Sequence, residues 1–285
     1  MTQKLKIGMG QLLVEGGEPR RNLDRAEKMI REASEQGCEI ILLPEVIDLG
    51  WTHPSAFQEA EPIPGPRSDR LSASARQYKI YICVGLTEQL GEKRYNTAIF
   101  INSEGEIILK YHKINTLVVE QPFYSVGQIL SVVDTPFGKI GVNICADNYM
   151  DGLPIGHALA RMGAQLILSP SSWTVDYSVD ETQDPYREKW IKPYSILAGL
   201  YHLVIIGTTS VGYIVGGPYE GKKMVGCSLA VDRNGIIARG KFNEFAGDLI
   251  IADITIPERK ETGTAIGEML LKKGHSFEDL TKGKV

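Results

Sequence analysis

Residues 139–149 read KIGVNICADNY, and the prediction of the fold starts from this stretch. An apolar run follows a Gly-Lys turn and ends at Cys145, with Asp147 two residues beyond. A strand that ends on a cysteine and gives way to a polar turn exposes the sulfur at a sheet edge, where open α/β sheets usually bind ligands. A lone cysteine in such a strand is more often buried packing, because free Cys is among the most buried residue types. Partners elsewhere in the chain therefore decide its role.

The composition is that of an ordinary soluble globular protein. The 285 residues are 43% hydrophobic and 23% charged, with a formal net charge of −4. This charge offers no basic surface for nucleic acid, and no apolar run reaches the roughly 18 residues of a membrane span. Residues 1–6 are polar and lead into a strand, so no signal peptide is expected. The four cysteines are far apart and form no Cys-x-x-Cys pair, which favours a reduced, cytoplasmic protein over a disulfide scaffold.

Strand and helix patterns alternate in the first half of the chain and again over residues 139–209. Asn22 is predicted to cap a helix that ends near Gln36, with an apolar stripe at helical spacing. Antiparallel hairpins separate these alternating parts. The pattern predicts one α/β domain with mixed sheets over residues 1–257, followed by a polar C-terminal extension over residues 258–285.

Three charged residues stand at or beyond the ends of predicted strands. Glu45 follows a short apolar strand, Lys113 follows the second strand of a hairpin, and Glu120 lies in the next loop. Each alone is more typical of a solvated loop charge. Together with Cys145 they form a sufficient set, because a carboxylate can take the thiol proton and the thiolate is the nucleophile. An ammonium group nearby lowers the thiol pKa and stabilises an oxyanion.

Other chemistries find less support in the sequence. The five histidines show no His-x-His or His-x-x-x-His pairing, so no metal site is predicted. Neither a Gly-x-Ser-x-Gly elbow nor a Walker lysine motif occurs. Gly8 and Gly10 begin like a dinucleotide loop, but no helix opens after them. A Cys-His pair stays open as an alternative, although no histidine follows an obvious strand end.

Three segments, in this order, resemble the nitrilase superfamily of carbon–nitrogen hydrolases. They are LLPEV around Glu45, YHKIN around Lys113 and GVNICAD around Cys145, and the similarity runs from Leu5 to about Pro257. The resemblance implies a four-layer α-β-β-α sandwich with two mixed sheets. It also implies a homodimer or a higher even-numbered oligomer. The C-terminal extension is then a candidate for the subunit interface.

The resemblance also implies roles for individual residues. Glu45 would deprotonate Cys145, which attacks the carbonyl or nitrile carbon of a small molecule. Lys113 and the backbone N–H of Ala146 would hold the oxyanion, and water activated by Glu45 would hydrolyse the thioester. Glu120 would orient the site and share in proton handling. No metal or organic cofactor is required.

The residues around the motifs bear on the substrate. Asn115 stands where the family often has His, and Asp147 after the cysteine favours an amide or N-carbamoyl substrate over a nitrile. Ala146 and Asn148 depart from the usual subfamily patterns. Trp51 and Trp173 are predicted to line the pocket, although each could be ordinary packing. Three functions therefore stay open: a cysteine amidohydrolase, a nitrilase, and a non-catalytic binding member of the fold.

Overall fold

Two six-stranded mixed sheets form the centre of the molecule in a computed structural model that describes residues 3–183, 186–258 and 274. The strands are β1 (Gln3–Gln11), β2 (Ile40–Leu42), β3 (Tyr81–Leu90), β4 (Lys93–Ile101), β5 (Ile107–His112), β6 (Val132–Thr135), β7 (Gly138–Val142), β8 (Leu166–Ser171), β9 (Thr174–Val175), β10 (Val204–Thr209), β11 (Val211–Tyr213), β12 (Lys223–Val225), β13 (Leu229–Asp232), β14 (Gly235–Arg239) and β15 (Asp248–Ile256). The first sheet has the order β15-β1-β2-β3-β4-β5 and the second β14-β13-β10-β8-β7-β6. Each has three parallel strands at its centre and antiparallel strands at its edges.

Helices cover the outer faces of both sheets. They are α1 (Pro19–Glu35), α3 (Pro66–Tyr78), α4 (Leu153–Arg161) and α5 (Tyr186–Tyr201), whereas the short helix α2 (Ala56–Glu59) packs beside the Glu45 turn through Ala56. In the first sheet, Ile41 packs outward with residues of α1 and α3, whereas its neighbours Ile40 and Leu42 face the second sheet. Helices α4 and α5 pack on the second sheet. The α-β-β-α sandwich predicted from the sequence is therefore confirmed, since strands buried on both faces read as continuous apolar runs.

The carboxyl ends of several strands meet at one edge of each sheet. Strands β2, β3 and β5 run in the same direction in the first sheet, because β4 is antiparallel to both β3 and β5. Strands β7, β8 and β10 are parallel in the second sheet. The turns after β2, β5 and β7 carry the predicted residues Glu45, Lys113 and Cys145, so the topology gathers them between the two sheets.

The predicted cap at Asn22 is wrong. Helix α1 begins three residues earlier at Pro19, whose fixed φ suits the first helical position. Asn22 lies inside the first turn and is fully buried. Its amide donates to the carbonyl oxygens of Glu15 (2.7 Å) and Asp48 (3.0 Å), which ties the helix to the segment after Glu45.

A third, small sheet was not predicted from the sequence. It has the antiparallel order β11-β12-β9, and its strands have only two or three residues, too few to show an alternating pattern. Apart from residues 258 and 274, the C-terminal extension lies outside the described residues, and so does its predicted place at a subunit interface. Among the described residues, no helix combines the length and apolarity needed to cross a membrane.

Candidate active site

Cys145 opens a single 3-10 turn that follows β7, Cys145–Asn148. Its φ of +43° lies in the left-handed region, which residues with a side chain rarely adopt and which is frequent at functional sites. Asp147 closes the turn from both sides: its N–H donates to the Ile144 carbonyl, and its Oδ2 accepts the Ile144 N–H, both at 2.9 Å. The thiol therefore has a fixed direction, with Sγ 3.9 Å from the carbonyl oxygen of Ser172.

A buried pair of asparagines braces the same turn. The amide of Asn143 donates to Asn148 Oδ1 at 2.7 Å, and the amide of Asn148 donates back to Asn143 Oδ1 at 3.0 Å. The Asn148 amide also donates to Ser169 Oγ at 2.8 Å, on strand β8. Asn148 is thus part of the scaffold of the turn, and its hydrogen bonds offset the cost of burying its amide.

Glu45 lies on a turn that is fitted closely against both sheets. Its backbone N–H donates to the carbonyl of Ser171 at 3.3 Å, across to the second sheet. A Cβ on Gly85 of β3 would lie 2.6 Å from the Glu45 Cα, so only glycine permits this approach. Three residues on, the buried carboxylate of Asp48 accepts a 2.9 Å hydrogen bond from Arg67 and fixes the rest of the turn.

Lys113 lies between two carboxylates at the centre of the site. Its Nζ is 2.7 Å from Glu45 Oε1 and 2.8 Å from Glu120 Oε1, and all three side chains are buried. The amide of Asn96 donates to the same two oxygens, at 2.5 Å and 3.3 Å. The indole N–H of Trp51 donates to Glu120 Oε1 at 2.7 Å. Every group in this cluster therefore has a partner that fixes its position.

One carboxylate oxygen of the cluster is left without a donor. Among the described residues, no group donates to Glu45 Oε2, although this oxygen is fully buried. Glu120 differs, because its second oxygen accepts the backbone N–H of Leu117 at 2.7 Å. Glu45 is consequently the carboxylate that has an oxygen available for a proton.

The charges of the cluster change the acidities of its members. Burial raises the pKa of Glu45, with the Lys113 ammonium acting in the opposite direction and the Glu120 carboxylate adding to the rise. Burial alone would lower the pKa of Lys113, but Glu120 and Glu45 raise it well above its ordinary value, so the amine stays charged. Burial and the Glu45 carboxylate raise the pKa of Cys145 well above its usual range. The resting sulfur is thus a thiol, which needs a base to become a nucleophile.

The structure brings the four predicted catalytic residues into one buried region. Ser172 lies between the thiol and the Glu45 turn, since its hydroxyl also donates to the Glu45 carbonyl at 3.5 Å. Ala146 is buried in the 3-10 turn directly after the cysteine. The catalytic roles of these residues, and the contact of Ala146 with a substrate, stay predictions.

The two predicted pocket tryptophans differ in position. Trp51 lines a narrow cleft beside Glu45 and Ser172. Trp173 is buried in the main core, stacked on Trp190 with ring centroids 4.7 Å apart, and it is not among the residues that line this cleft. The stacking partner comes from α5, so the position of the Trp173 ring follows from the packing of that helix. Contact of either ring with substrate stays a prediction.

Asn96 is the member of the site that was not predicted from the sequence. It lies within β4, opposite Thr87 on β3, and is fully buried. The sequence offers little signal for it, because Asn96 stands in the polar half of β4, which reads KRYNTAIFI, and only its burial shows that the amide needs hydrogen-bond partners. Among the described residues, no group of three or more His, Cys, Asp or Glu side chains is arranged to hold a metal ion.

The chain is similar to known carbon–nitrogen hydrolases. A model of the carbon–nitrogen hydrolase family matches residues 7–263. A nitrilase from Pyrococcus abyssi is 34% identical over 199 residues, covering 68% of this chain and 74% of the relative. The omega-amidase NIT2 of Xenopus tropicalis is 30% identical over 182 residues, covering 60% of this chain and 65% of the relative.

Solved structures show the same fold. The crystal structure of an amidase from Nesterenkonia sp. superposes with a TM-score of 0.76 at 21% identity, covering 94% of this chain and 96% of that chain. At this identity the likeness establishes the arrangement of sheets and helices, whereas the matched family model extends over nearly the whole described chain.

Proposed function

We propose that this chain, which belongs to the carbon–nitrogen hydrolase family, cleaves the C–N bond of a small amide or N-carbamoyl compound through a thioester on Cys145. The observation that carries the proposal is a thiol whose pKa is raised by burial and by the nearby Glu45 carboxylate, together with a Glu45 Oε2 that accepts no hydrogen bond among the described residues. A thiol whose pKa is raised by burial requires such a base, and a free carboxylate oxygen supplies it.

The first half of the reaction transfers the acyl group to sulfur. Glu45 takes the Cys145 proton, and the thiolate forms a C–S bond to the carbonyl carbon while the carbonyl electron pair moves to oxygen. Lys113 has three N–H donors, and two of them are directed at Glu45 and Glu120, so the third is available for the oxyanion. When the C–N bond breaks, Glu45 returns its proton to nitrogen and ammonia or an amine leaves.

The second half regenerates the enzyme. Glu45 takes a proton from water, and the resulting hydroxide attacks the thioester carbon. Collapse of this second tetrahedral intermediate breaks the C–S bond, and the proton on Glu45 returns to the sulfur. The acid leaves, and the net change is the addition of one water across the C–N bond. The backbone N–H of Ala146 would be the second donor to the oxyanion in both halves.

Amide chemistry fits the charge balance of the site. Two carboxylates and one ammonium give the buried cluster a net charge of −1 when all are ionised. The raised pKa of Glu45 suits a group that must also protonate a departing nitrogen. Among the neighbours, mutants of the Nesterenkonia amidase in which a glutamate is replaced by Gln or Leu have been seen with the acetamide moiety of fluoroacetamide added covalently at the active-site cysteine. We expect the same kind of adduct on Cys145.

The test is a release assay for ammonia over a panel of primary amides and N-carbamoyl amines, with Cys145→Ser and Cys38→Ser as the matched pair. Both cysteines are buried, but Cys38 lies in the layer between α1 and the first sheet. Cys145→Ser should lose turnover and the fluoroacetamide adduct while keeping its circular dichroism spectrum. Cys38→Ser should keep both. Retention of most activity by Cys145→Ser would contradict the mechanism.

A nitrilase is the second candidate, favoured by the 34% identity with the Pyrococcus abyssi nitrilase. The same thiol and base would attack a nitrile carbon, and two waters would be consumed before the acid leaves. Assaying each amide beside the nitrile of the same chain separates the two functions. Higher kcat/KM for the nitriles would assign the chain to this class. Assembly into an even-numbered oligomer and a cytoplasmic location stay predictions.

A further inference from the structure

The hairpin formed by β11 and β12 covers the cleft beside Glu45. Five of the residues that line this cleft belong to it: Gly212, Tyr213, Ile214, Val215 and Met224. Val14 and Trp51 supply further apolar surface from the first sheet's side. The free space in the cleft is about 20 Å³, room for about one water molecule, so an acyl group that enters it must displace the hairpin side chains and contact them directly.

The apolar lining continues outward to the rim. Tyr213 is 45% exposed and Val215 is 58% exposed, although both also line the cleft. The ring of Tyr213 lies 6.2 Å from that of Phe245, which is 71% exposed on the loop before β15. Exposed apolar groups that continue a pocket lining are typical of ligand-binding surfaces.

The described residues that line the cleft include no Lys or Arg, so none of them brings a fixed positive charge to it. The two lysines of the hairpin are paired elsewhere, Lys222 with Asp176 at 2.8 Å and Lys223 with Glu244 at 3.0 Å. Lys113 is held by the two glutamates of the catalytic cluster.

The histidine among the described residues of the lining is His53. Its Nδ1 lies 3.2 Å from the backbone nitrogen of Ser55 and 2.8 Å from the Ser55 hydroxyl oxygen, so these contacts hold the ring in place. Burial lowers the pKa of His53, which agrees with a neutral ring at pH 7. A carboxylate at the far end of a substrate would thus lose its hydration without gaining a cationic partner.

We infer that the β11–β12 hairpin determines specificity and selects amides with an uncharged, apolar acyl group, rejecting those that carry a distal carboxylate. This inference rests on the proposed function, because it names the substrate class of the same site. The inferred preference for an uncharged acyl group distinguishes this chain from enzymes whose substrate is the monoamide of a dicarboxylic acid. A single apolar contact discriminates only weakly between two substrates, whereas a substrate charge that is buried without a partner is rejected strongly.

The experiment compares hexanamide with adipamate, two six-carbon amides that differ only in the terminal methyl or carboxylate group. We expect kcat/KM of the wild type to favour hexanamide by about 100-fold or more, from the cost of burying an unpaired carboxylate. Val215→Arg supplies a cation at the rim and should narrow this ratio by about 10-fold or more. Ile129→Arg is the matched control, because Ile129 is 75% exposed and lies outside the cleft lining, and it should leave the ratio unchanged.

Two outcomes would overturn the inference: equal or better hydrolysis of adipamate by the wild type, or a ratio that Val215→Arg does not alter. If neither amide is hydrolysed, the corresponding nitriles, hexanenitrile and 5-cyanopentanoate, apply the same test to a nitrilase. Calorimetric titration of Cys145→Ala with both amides measures the preference without turnover. Failure of the amidase proposal is therefore distinguishable from failure of the specificity inference.

Discussion

The hydroxyl of Tyr111 donates a 2.7 Å hydrogen bond to Asp147 Oδ2, joining the two sheets directly behind the Cys145 turn. Tyr111 is the penultimate residue of β5, the strand that leads to Lys113. The other carboxylate oxygen of Asp147 accepts the backbone N–H of Asn115 at 2.9 Å. One buried carboxylate thus fixes the segment that carries the ammonium relative to the turn that carries the thiol. Asp147 is a positioning residue in this structure.

Replacing Asp147 should disturb catalysis more than binding. Asp147→Asn keeps the size of the side chain. Its NH₂ group, however, would face a hydrogen-bond donor in place of the carboxylate oxygen that accepts that hydrogen bond in the wild type. We expect kcat to fall by about 100-fold, the scale of a misplaced reacting group, with little change in KM. Steady-state kinetics on one amide measures the split between the two constants. Asp151→Asn, an exposed acid in the next turn, should match the wild type; equal losses in the two variants would refute the positioning role.

Removing the cation of the buried cluster should destabilise the fold. Lys113→Met leaves two buried carboxylates without their counter-charge, and breaking a buried ion pair in this way costs about 3–5 kcal/mol. The pKa of Glu45 would rise further, so the penalty is fully present above that folded-state pKa and diminishes as the pH falls below it. Urea unfolding at several pH values measures both effects.

Lys139→Met provides the control for that measurement. Lys139 pairs with Asp134 at 3.0 Å, but the aspartate side chain is 82% exposed. A surface pair of this kind contributes at most about 1 kcal/mol. A loss of stability no larger for Lys113→Met than for Lys139→Met would show that the buried pair is not required by the fold.

The charge of Glu120 should set the pH at which activity appears. Activity requires Glu45 as a carboxylate. Burial is the largest cause of the raised pKa of Glu45, and the negative charge of Glu120 raises this pKa further. Glu120→Gln removes that charge, so the acid limb of kcat/KM should move to lower pH even though the plateau rate falls. A pH–rate profile from each protein measures the shift. An acid limb that moves to higher pH in Glu120→Gln would contradict the interpretation that the charge of Glu120 raises the pKa of Glu45.

Replacing Asn96 should shift the acid limb of kcat/KM in the opposite direction. Its amide donates to Glu45 Oε1 at 2.5 Å, and this hydrogen bond lowers the pKa of Glu45. Asn96→Ala removes the donor, so the acid limb should move to higher pH. Asn234→Ala, at an exposed turn, should leave the profile unchanged. If the acid limb moved in the same direction in Asn96→Ala and Glu120→Gln, the opposite effects of these two residues on the pKa of Glu45 would be ruled out.

Much of the fold could be predicted because the information is local. Continuous apolar runs mark strands buried on both faces, and the helical spacing of Leu23, Ala26 and Ile30 marks the buried face of α1. Cys145 and Glu45 could be selected for a related reason. Each follows an apolar run that ends at a turn, and ends of parallel strands meet at one sheet edge.

The tertiary structure alone decided which groups touch. Asn96 reaches Glu45 from a position 51 residues away, because β4 lies two strands from β2 in the first sheet. The hairpin from Val211 to Val225 gives too short an alternation to be read as strands, yet it covers the cleft. Asp147 suggested a substrate class in the sequence, but its buried hydrogen bonds serve the turn. Sequence periodicity states which face of an element is buried, whereas strand order and sheet stacking decide what is buried against it.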